Sequence, residues 1–421
     1  MTLNWKRILL AIGFIATVLL LAYLLYFFLL RPTVPATTPA TNTNQAPGTL
    51  PGTNENANIA VNANAPGTLP GTNVNTAIPG APTPPATSTT VASTVASGGL
   101  TKSTALTDGR SYGSTLSADG SSVLYYDRNS GLFMRLTPSG TATPLSDKIF
   151  YQVDQITWSP DKEKAILEYP DGANILYDFT TKEQVTLPTH WKDFDFSADG
   201  SQLVFKSMGS SEETRWLSIA SADGSKAQKI EHLGDKDATV YPMWSPNDQV
   251  VALFSEDRDF DRQTLYFVGK NQENFSSAII EGRDFRGQWS TNGDQLLYSV
   301  YSSESDYKPT LWVVSAQGDS IGQNRIELNL NTWADKCTFA DNSTVYCAVP
   351  KSLSENAGIF ADEMDDSPTD IYRVDLTTGI KSLVATPEGN HNIDQLIPSA
   401  DGRYLYFTNK TDGRLYRIQL K

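Results

Sequence analysis

Few residues in this chain have the type and spacing that catalysis or metal binding requires. The 421 residues include three histidines, His190, His232 and His391, which are far apart in the sequence. No G-x-S-x-G nucleophile elbow and no H-E-x-x-H pair accompanies them. His190 precedes Trp191 and is compatible with a pocket, but isolated histidines are more often ordinary loop residues. The sequence therefore predicts no catalytic group and no cofactor.

A short acidic segment, DRDFD at 257–261, has the D-x-D-x-D spacing with which calcium loops begin. The sixth position of such a loop would be Arg262 instead of glycine, and the twelfth would be Val268 instead of glutamate. The surrounding SEDRDFDRQTLYF fits a strand, an acidic turn and a second strand. We therefore expect a turn here and no metal site.

The two cysteines, Cys337 and Cys347, flank a hairpin-like FADNST segment. If residues 341–343 form its loop, Ala340 faces Thr344, and stepping outward pairs the two cysteines. Directly opposed residues have Cβ atoms roughly 4.5 to 5.5 Å apart, slightly wider than a disulfide needs. We expect a disulfide, because such bonds persist outside the cytoplasm. The alternative is two reduced, buried cysteines that are still neighbours.

A recurring phrase organises the elements that must position these residues. It consists of a serine followed by an Asp- or Asn-containing turn, as in LSADG, WSPDK, FSADG and WSPND, and it is degenerate once, in FADNS. The seven marker positions are Ser117, Ser159, Ser197, Ser245, Ser290, Ala340 and Ser399. Successive markers are 38 to 59 residues apart. A repeat of about this length is typical of β-propellers.

Each repeat predicts four antiparallel strands. A short apolar segment precedes the marker, and a segment such as SQLVFKS follows the turn, whose Asp-Gly chemistry tolerates the positive φ of a tight hairpin. Segments such as TRWLSIA and KEQVTLP supply the third and fourth strands. The predicted fold over 100–421 is therefore all-β, a seven-bladed β-propeller of four-stranded antiparallel blades.

The two ends of the repeat region complement each other. The last unit reaches only its third strand, at Leu415 to Gln419, whereas TKSTALTDG at 101–109 resembles a fourth strand without a blade of its own. We expect the second segment to complete blade seven, because closure of the ring covers both open sheet edges.

The markers WSPDK, FSADG and WSPND, each followed by an apolar strand and an Ile-Tyr or Leu-Tyr strand, resemble the repeats of TolB-like, WD-type propellers and of the prolyl-oligopeptidase class. The resemblance implies the fold and no particular activity. In place of the α/β domain of TolB, this chain has an apolar segment and a polar linker, which disfavours a role in the Tol-Pal system. We expect no hydrolase domain, since the repeats occupy the rest of the chain.

The N-terminal region predicts a membrane anchor. Ile8 to Leu30 are twenty-three residues without a charge, whereas a helix needs about 20 residues to cross a bilayer core. The alternative is a cleaved signal peptide, whose apolar region is about 7 to 15 residues long and ends at small residues. In this chain the apolar segment is longer, and Arg31 and Pro32 follow it in place of small residues. Because Lys6 and Arg7 precede the segment, we expect residues 1–7 in the cytoplasm and the propeller outside it.

Residues 31–99 are rich in Pro, Thr, Ala, Asn and Gly, and APGTLPGTN occurs in them twice, at 46–54 and 65–73. Such a composition cannot bury enough apolar surface to form a core, so we expect a disordered linker. It would act as a spacer between membrane and propeller, or it is a tolerated low-complexity insertion.

The net charge restricts the partners. Without Lys6, Arg7, Arg31 and Glu55, the totals of 33 basic and 47 acidic residues become 30 and 46, a net charge of −16 for the folded part. Phosphate-rich partners are best neutralised by a basic surface. We therefore expect no nucleic-acid partner and no binding to an anionic membrane surface. The alternative is that the negative net charge serves solubility alone and says nothing about a partner.

The departures from the repeat indicate where a partner would bind. Links between blades and turns between second and third strands emerge on one face, and there PKSLSENAGIFADEMDDSPTD at 350–369 is the longest insertion. The candidate binding residues on this face are Asp154, Trp191, Tyr241, Trp333, Asp335, Phe360, Asp362, Asp365 and Asp394. Aromatic side chains beside carboxylates suit a cationic or polar ligand, such as a peptide, a sugar or a basic protein loop. The alternative is that the aromatics fill gaps between blades.

These observations predict a membrane-anchored, extracytoplasmic propeller that serves as a binding scaffold in a bacterial envelope. Its partner would be a protein, a peptide or a glycan of that envelope. The alternative is a lyase or hydrolase that acts on envelope polysaccharide or peptide at the propeller mouth. Histidines and carboxylates converging on the channel would favour the enzyme, and aromatic residues with single charges would favour the scaffold.

Overall fold

The computed structural model describes residues 20–21 and 91–421. Leu20 and Leu21 are helical and exposed. The rest of the predicted anchor at 8–30, and the predicted linker up to residue 90, lie outside the described residues. Among the described residues, no helix has both the length and the apolar character needed to cross a membrane.

Seven sheets form the folded part, preceded by two short strands, β1 (Gly99–Thr101) and β2 (Thr104–Ala105). Blade 1 contains β3 (Ser111–Leu116), β4 (Val123–Asp127), β5 (Leu132–Leu136) and β6 (Ala142–Pro144). Blade 2 contains β7 (Gln155–Trp158), β8 (Lys164–Glu168), β9 (Asn174–Asp178) and β10 (Gln184–Leu187). Blade 3 contains β11 (Trp191–Phe196), β12 (Gln202–Met208), β13 (Arg215–Ser221) and β14 (Gln228–His232).

The remaining blades follow in chain order. Blade 4 contains β15 (Val240–Pro242), β16 (Val250–Asp257), β17 (Gln263–Gly269) and β18 (Ala278–Ile280). Blade 5 contains β19 (Arg283–Trp289), β20 (Gln295–Tyr301), β21 (Pro309–Ser315) and β22 (Ile326–Glu327). Blade 6 contains β23 (Cys337–Phe339), β24 (Thr344–Pro350), β25 (Thr369–Asp375) and β26 (Lys381–Pro387), and blade 7 contains β27 (Ile393–Pro398), β28 (Tyr404–Asn409) and β29 (Leu415–Gln419).

Within residues 91–421 the helical elements are short. One four-residue helix, α1 (Ala361–Met364), lies between β24 and β25. Single 3-10 turns occupy Glu212–Thr214, Asp237–Thr239, Ser303–Ser305, Gly318–Ser320 and Ala334–Lys336. The predicted seven-bladed β-propeller of four-stranded antiparallel blades is confirmed.

The order of the strands defines two faces. Within each blade the strands pair in sequence, so we name them a to d from the channel outward. Because neighbouring strands are antiparallel, the links from one blade to the next and the turns between strands b and c lie on one face, called here the mouth face. The turns between strands a and b lie on the opposite face, called here the turn face.

The marker serine forms the turn between strands a and b. Ser197 Oγ donates to Asp199 Oδ1 at 2.7 Å and accepts the Gln202 N–H at 2.9 Å. The same two bonds form at Ser117, Ser159, Ser245, Ser290 and Ser399. The Ser197 hydroxyl is also the main reason why the pKa of Asp199 falls to about 2. The repeated phrase therefore has a structural role.

The core lies between adjacent blades, and the b strands are its most buried parts, as Ala165, Ile166 and Leu167 illustrate. Tryptophans of the marker phrase join neighbouring blades. Trp158 Nε1 of blade 2 donates to the Gly113 carbonyl of blade 1 at 2.8 Å. Gly113, with φ of 57°, also allows the two blades to approach closely, because a Cβ there would lie 2.9 Å from Ile156 Cδ1 of blade 2.

The predicted closure of the ring is confirmed by β2, which pairs antiparallel with β29 and becomes the outer strand of blade 7. The Leu106 N–H extends the pairing by donating to the Leu415 carbonyl at 2.8 Å. The strand β1 adds a feature that the sequence analysis missed, because it pairs in parallel with β26 as a fifth strand of blade 6. The start of the folded region therefore joins the last two blades.

Candidate functional site

The mouth face brings the chemistry-bearing residues together because every a strand starts there. Asp154 and Asp335 belong to the links that precede the a strands of blades 2 and 6, whereas Asp394 is the second residue of β27, the a strand of blade 7, and all three are exposed. The predicted carboxylates therefore stand around the opening of the central channel.

One group of residues connects blades 1, 2 and 7. The Tyr112 hydroxyl donates to the Asp154 carbonyl at 2.7 Å, and the Arg128 guanidinium lies 4.1 Å from the centroid of the Tyr112 ring. Burial raises the pKa of Tyr112, Arg128 opposes the change, and the carboxylates of Asp154 and Asp394 add to it. Both aspartates thus lie close enough to Tyr112 to act on the same hydroxyl.

A second group connects blades 5 and 6. Arg286 contacts Asp335 at 3.0 Å through Nη1 and Asp284 at 3.1 Å through Nε. Burial alone would lower the pKa of Arg286, but these two carboxylates raise it on balance. Tyr241 is half-buried and packs its ring 5.2 Å from that of Phe285. The negative charge of Asp335 in blade 6 is therefore partly neutralised by Arg286 of blade 5.

Two predicted binding residues, Trp191 and Trp333, do not lie on the surface of the mouth face. Trp191 is buried and stacks on Phe205 with ring centroids 3.8 Å apart. Trp333 is also buried. Trp191 begins β11, and Trp333 lies in the link before β23. In both places a large apolar side chain gains more from packing against the blade than from exposure to water. The expectation that they belong to a binding surface is corrected, and the packing alternative describes them.

The 350–369 segment rests on its neighbouring blade. The N–H of Asn356 donates to the Asp306 carbonyl at 3.0 Å, and the N–H of Gly358 donates to the Tyr307 carbonyl at 2.7 Å. A Cβ on Gly358 would lie 2.5 Å from Tyr301 Cβ, so only glycine permits this contact. The turn between strands b and c of blade 5 therefore supports the segment.

Asp365 anchors the same segment to buried residues beneath it. Its side chain is only 8% exposed, and its Oδ2 lies 2.9 Å from Lys336 Nζ and 3.1 Å from Lys410 Nζ. Asn392 Nδ2 donates to the Asp365 carbonyl at 2.7 Å. Burial lowers the pKa of Lys336, whereas Asp365 opposes that change. The expectation that Asp365 faces a ligand is corrected, because it forms a buried ion pair at the mouth.

The mouth face carries exposed apolar side chains on a connected surface. Asp261 accepts the Ser303 N–H at 2.9 Å and its hydroxyl at 2.6 Å, which joins blade 4 to blade 5. We call the surface formed by 258–262, 302–308 and 350–369 the mouth-face ridge. Its exposed apolar residues are Phe260 (71%), Phe360 (49%) and Ile359 (43%). The exposed carboxylates on it are Asp259, Glu304, Asp306, Glu355, Asp362, Glu363 and Asp366.

The segment DRDFD forms the turn that the sequence predicts, between β16 and β17. Asp259 lies 2.5 Å from Arg262, while the Asp261 carboxylate bonds to blade 5. Within residues 91–421, no group of three or more His, Cys, Asp and Glu side chains is arranged to hold a metal ion.

The three histidines are not brought together. His190 is exposed in the link before blade 3, and His232 packs its ring against Trp216 at 4.9 Å on the outer strand of that blade. His391 is buried in blade 7, where its Nε2 lies 2.8 Å from Ser103 Oγ.

The two cysteines are directly opposite each other on β23 and β24. A disulfide joins them, and both side chains are buried. This bond lies between the two innermost strands of blade 6, next to the channel.

Glu168, which the sequence analysis did not single out, ends β8 at the mouth. Its Oε2 accepts the Asp193 N–H at 3.3 Å, and its Oε1 is buried without a partner in the described part of the chain. Burial is the main reason why the pKa of Glu168 rises to about 7, and the charges of Asp193 and Asp154 add to it. Nothing in the repeat pattern indicates that the carboxyl at this position has a pKa near 7.

We expect the ionisation of Glu168 to make stability depend on pH. The unfolded chain releases this proton near 4.5 and the folded chain near 7, so the stabilisation is complete below the first value and is lost as pH rises through the second. Glu168→Gln keeps the neutral form. Urea unfolding should therefore show nearly equal stability at about pH 4 and a more stable variant at about pH 8. The exposed Glu163→Gln is the control, and an equal response of both variants would contradict the assignment.

We expect Asp365→Ala to destabilise the fold by about 3 kcal/mol, because it leaves Lys336 buried without its counter-ion. The matched control is Asp366→Ala, which removes an exposed carboxylate one residue away. Urea unfolding of both variants measures the difference. A similar loss in the two variants would show that Asp365 is not the anchor of the segment.

The sequence matches no protein-family model and no curated protein. Solved structures do match. They include the Cps50 (Swd1) β-propeller domain of Myceliophteria thermophila, with TM-score 0.52 and 10% identity over 76% of this chain and 100% of that chain. An oligogalacturonate lyase from Vibrio parahaemolyticus matches with TM-score 0.51 and 13% identity over 76% and 93%.

A further oligogalacturonate lyase structure, in complex with manganese, matches with TM-score 0.50 and 14% identity over 76% of this chain and 93% of that chain. Identities this low establish the fold alone. The similarities therefore confirm a β-propeller and distinguish neither an enzyme from a scaffold nor a TolB-like protein from other propellers.

Proposed function

We propose that the protein is a membrane-anchored, extracytoplasmic scaffold that binds a protein, peptide or glycan of the cell envelope through its mouth face. The observation that carries this proposal is the mouth-face ridge, where Phe260, Ile359 and Phe360 are exposed on a hydrogen-bonded surface. Exposed aromatic and aliphatic side chains with polar residues around them are typical of interaction surfaces.

The rigidity of the ridge supports this role. Asp365 ties the 350–369 segment to Lys336 and Lys410, and Gly358 holds it on blade 5. A surface that is already ordered loses little conformational entropy when a partner docks. The carboxylates around the apolar residues favour a partner that carries basic residues beside an apolar anchor, and they disfavour an acidic one.

The proposed location rests on the sequence before the propeller. Ile8 to Leu30 would provide the anchor, with Lys6 and Arg7 keeping residues 1–7 in the cytoplasm. Residues 31–90 would give the propeller reach away from the bilayer, whereas the end of the predicted linker is held on the propeller, where the N–H of Ala96 donates to the Gln419 carbonyl and that of Gly98 to the Val384 carbonyl. An extracytoplasmic position also suits a chain whose only two cysteines form a disulfide.

The test is cross-linking of the full chain in its own cells, followed by identification of the attached partner. We expect the double variant Ile359→Ser/Phe360→Ser to yield about tenfold less product, because anchor residues of this kind dominate binding energy. Both side chains are exposed and Asp365 is retained, so the fold should persist.

The matched control for that experiment is Ile380→Ser. Ile380 is 65% exposed on the turn face of the same blade. Cross-linking that survives in the ridge variant, or that falls equally in the control, would exclude the ridge as the binding surface.

The second candidate is a lyase or hydrolase that acts on envelope polysaccharide or peptide at the mouth. The observation that favours it is Glu168, whose pKa of about 7 and position beside Asp154 suit a general acid or base. Incubation of the full chain with polysaccharide and peptide fragments tests this role. We expect turnover that Glu168→Gln abolishes and Ile359→Ser/Phe360→Ser preserves, and the absence of turnover by the wild-type chain would exclude it.

A further inference from the structure

A cavity of about 390 Å³ lies between blades 3 and 4 at the periphery of the ring. Residues of β13 and β14, the two outer strands of blade 3, form one wall, and residues of β16 and β17 form the wall of blade 4. The volume is within the range of about 300 to 1,000 Å³ that is usual for ligand sites. None of the described residues that line it belongs to the mouth-face ridge, so this is a separate surface.

The cavity is open to the outside because the outer strand of blade 4 is short. The three residues of β18 pair only with Gln263–Leu265, the first part of β17. On the same side of β17, within the described chain, residues 266–269 have only an isolated bridge between Val268 and Asn274. The intervening sequence KNQEN at 270–274 is poor in strand-forming residues. Blade 4 therefore lacks a full outer strand next to β14.

The accessible surface of the cavity is mainly apolar. Ile230, Phe254 and Val268 are partly exposed, and they pack on the buried cluster that contains Leu217, Leu233 and Val240. Tyr266 adds an aromatic ring that is 38% exposed and stacks on Phe254 with centroids 5.6 Å apart. A large apolar side chain placed here would be removed from water on several sides, which is the main source of binding energy at an anchor residue.

The aromatic wall is held in place by Glu256. Its Oε1 accepts a hydrogen bond from Lys236 Nζ at 3.1 Å, and its Oε2 accepts one from the Tyr266 hydroxyl at 3.4 Å. Lys236 Nζ also lies 5.0 Å from the centroid of the Phe254 ring. The exposed ring of Tyr266 is therefore already positioned before a ligand arrives, which lowers the entropic cost of binding.

The charges on the rim indicate what should flank the apolar group. Glu231 and Glu273 line the cavity and are exposed, and neither forms an ion pair within the described residues. Lys236 also lines it, but its charge is balanced by Glu256, which lies outside the lining. The rim is thus left with an excess of negative charge, and basic groups beside an apolar group would complement it.

The edge of β14 favours a ligand with an extended backbone. In the described chain β14 pairs only with β13, so its other edge presents unpaired backbone groups beside the cavity. A peptide that pairs with such an edge directs alternate side chains to the same side. One apolar side chain can then enter the cavity while the side chains two positions before and after it lie along the acidic rim.

We propose that the cavity between blades 3 and 4 is a second docking site, which binds an extended peptide segment of a partner protein through one large apolar side chain with basic residues two positions away on either side. The aliphatic surface disfavours a glycan, because hydroxyl groups desolvated against it would lose their hydrogen bonds. The site goes beyond the proposed mouth-face binding and uses no residue of the ridge.

Fluorescence anisotropy of labelled synthetic peptides, titrated with the full chain at low salt, tests this site. The parent probe is the peptide TKTFTKT. Its variants replace the central Phe with Leu or Ala, or both Lys with Glu. We expect saturable binding of the Phe and Leu probes and at least about tenfold weaker binding of the Ala probe, which has little apolar surface to bury. The Glu probe should bind more weakly than the parent, by a factor that decreases as salt is added.

Two variants locate the site. Tyr266→Ala should weaken binding of the parent probe by about tenfold, because it removes the exposed aromatic wall. Glu231→Gln should weaken it less and should reduce its salt dependence. The matched controls are Tyr151→Ala, which removes a tyrosine that is 69% exposed in the link between blades 1 and 2, and Glu163→Gln on the turn face. Thermal unfolding of each variant verifies that it is folded.

The outcomes are decisive in both directions. Loss of binding in Tyr266→Ala but not in Tyr151→Ala supports the site. It is overturned by the absence of saturable binding, by an Ala probe that binds as tightly as the parent, or by binding unchanged in Tyr266→Ala. Displacement of the parent probe by N,N′-diacetylchitobiose would assign the cavity to a glycan instead. The ridge variant Ile359→Ser/Phe360→Ser should bind the probes as the wild type does, so failure here is distinguishable from failure of the proposed function.

Discussion

The structure depends on closure of a ring of sheets. The seven blades are separate sheets, and blade 7 would lack its outer strand if the start of the folded region did not supply it. β2 supplies this strand by pairing with β29, and the parallel strand β1 ties blade 6 to the same segment. Closure also completes the ring around the channel, and with it the arrangement of carboxylates at the mouth.

The two faces of the ring differ chemically for a physical reason. On the turn face, the carboxylate of Asp199 and its counterparts accept bonds from the marker serines and following amides, so their oxygens stabilise the hairpins. On the mouth face, the blade links carry no such repeated bond. Asp154 and Asp394 are therefore left to act on Tyr112 and on whatever enters the channel.

The sequence was sufficient for the architecture because the marker turn recurs in six of the seven blades, where its serine hydroxyl and the following side-chain acceptor are visible as Ser-x-Asp or Ser-x-Asn. The site was less predictable. Asp365 follows Asp362 and Glu363 in one acidic segment, and nothing local distinguishes the one that is buried, since its partners Lys336 and Lys410 come from other parts of the chain. Trp191 and Trp333 show the same difficulty, because blade links contain both packing and exposed aromatic residues.

The buried ion pair of Asp365 gives the mouth a property that a repeat alone cannot provide. Replacing a buried charge pair with apolar residues often costs no stability. The pair is therefore better explained by the segments that it holds together than by the stability that it adds. Lys336 precedes the a strand of blade 6, whereas Asp365 follows α1 in the long segment. Their contact makes the placement of Ile359 and Phe360 depend on the same link that carries Asp335. The apolar ridge and the charged channel opening are thereby held in one fixed arrangement, which allows one partner to contact both.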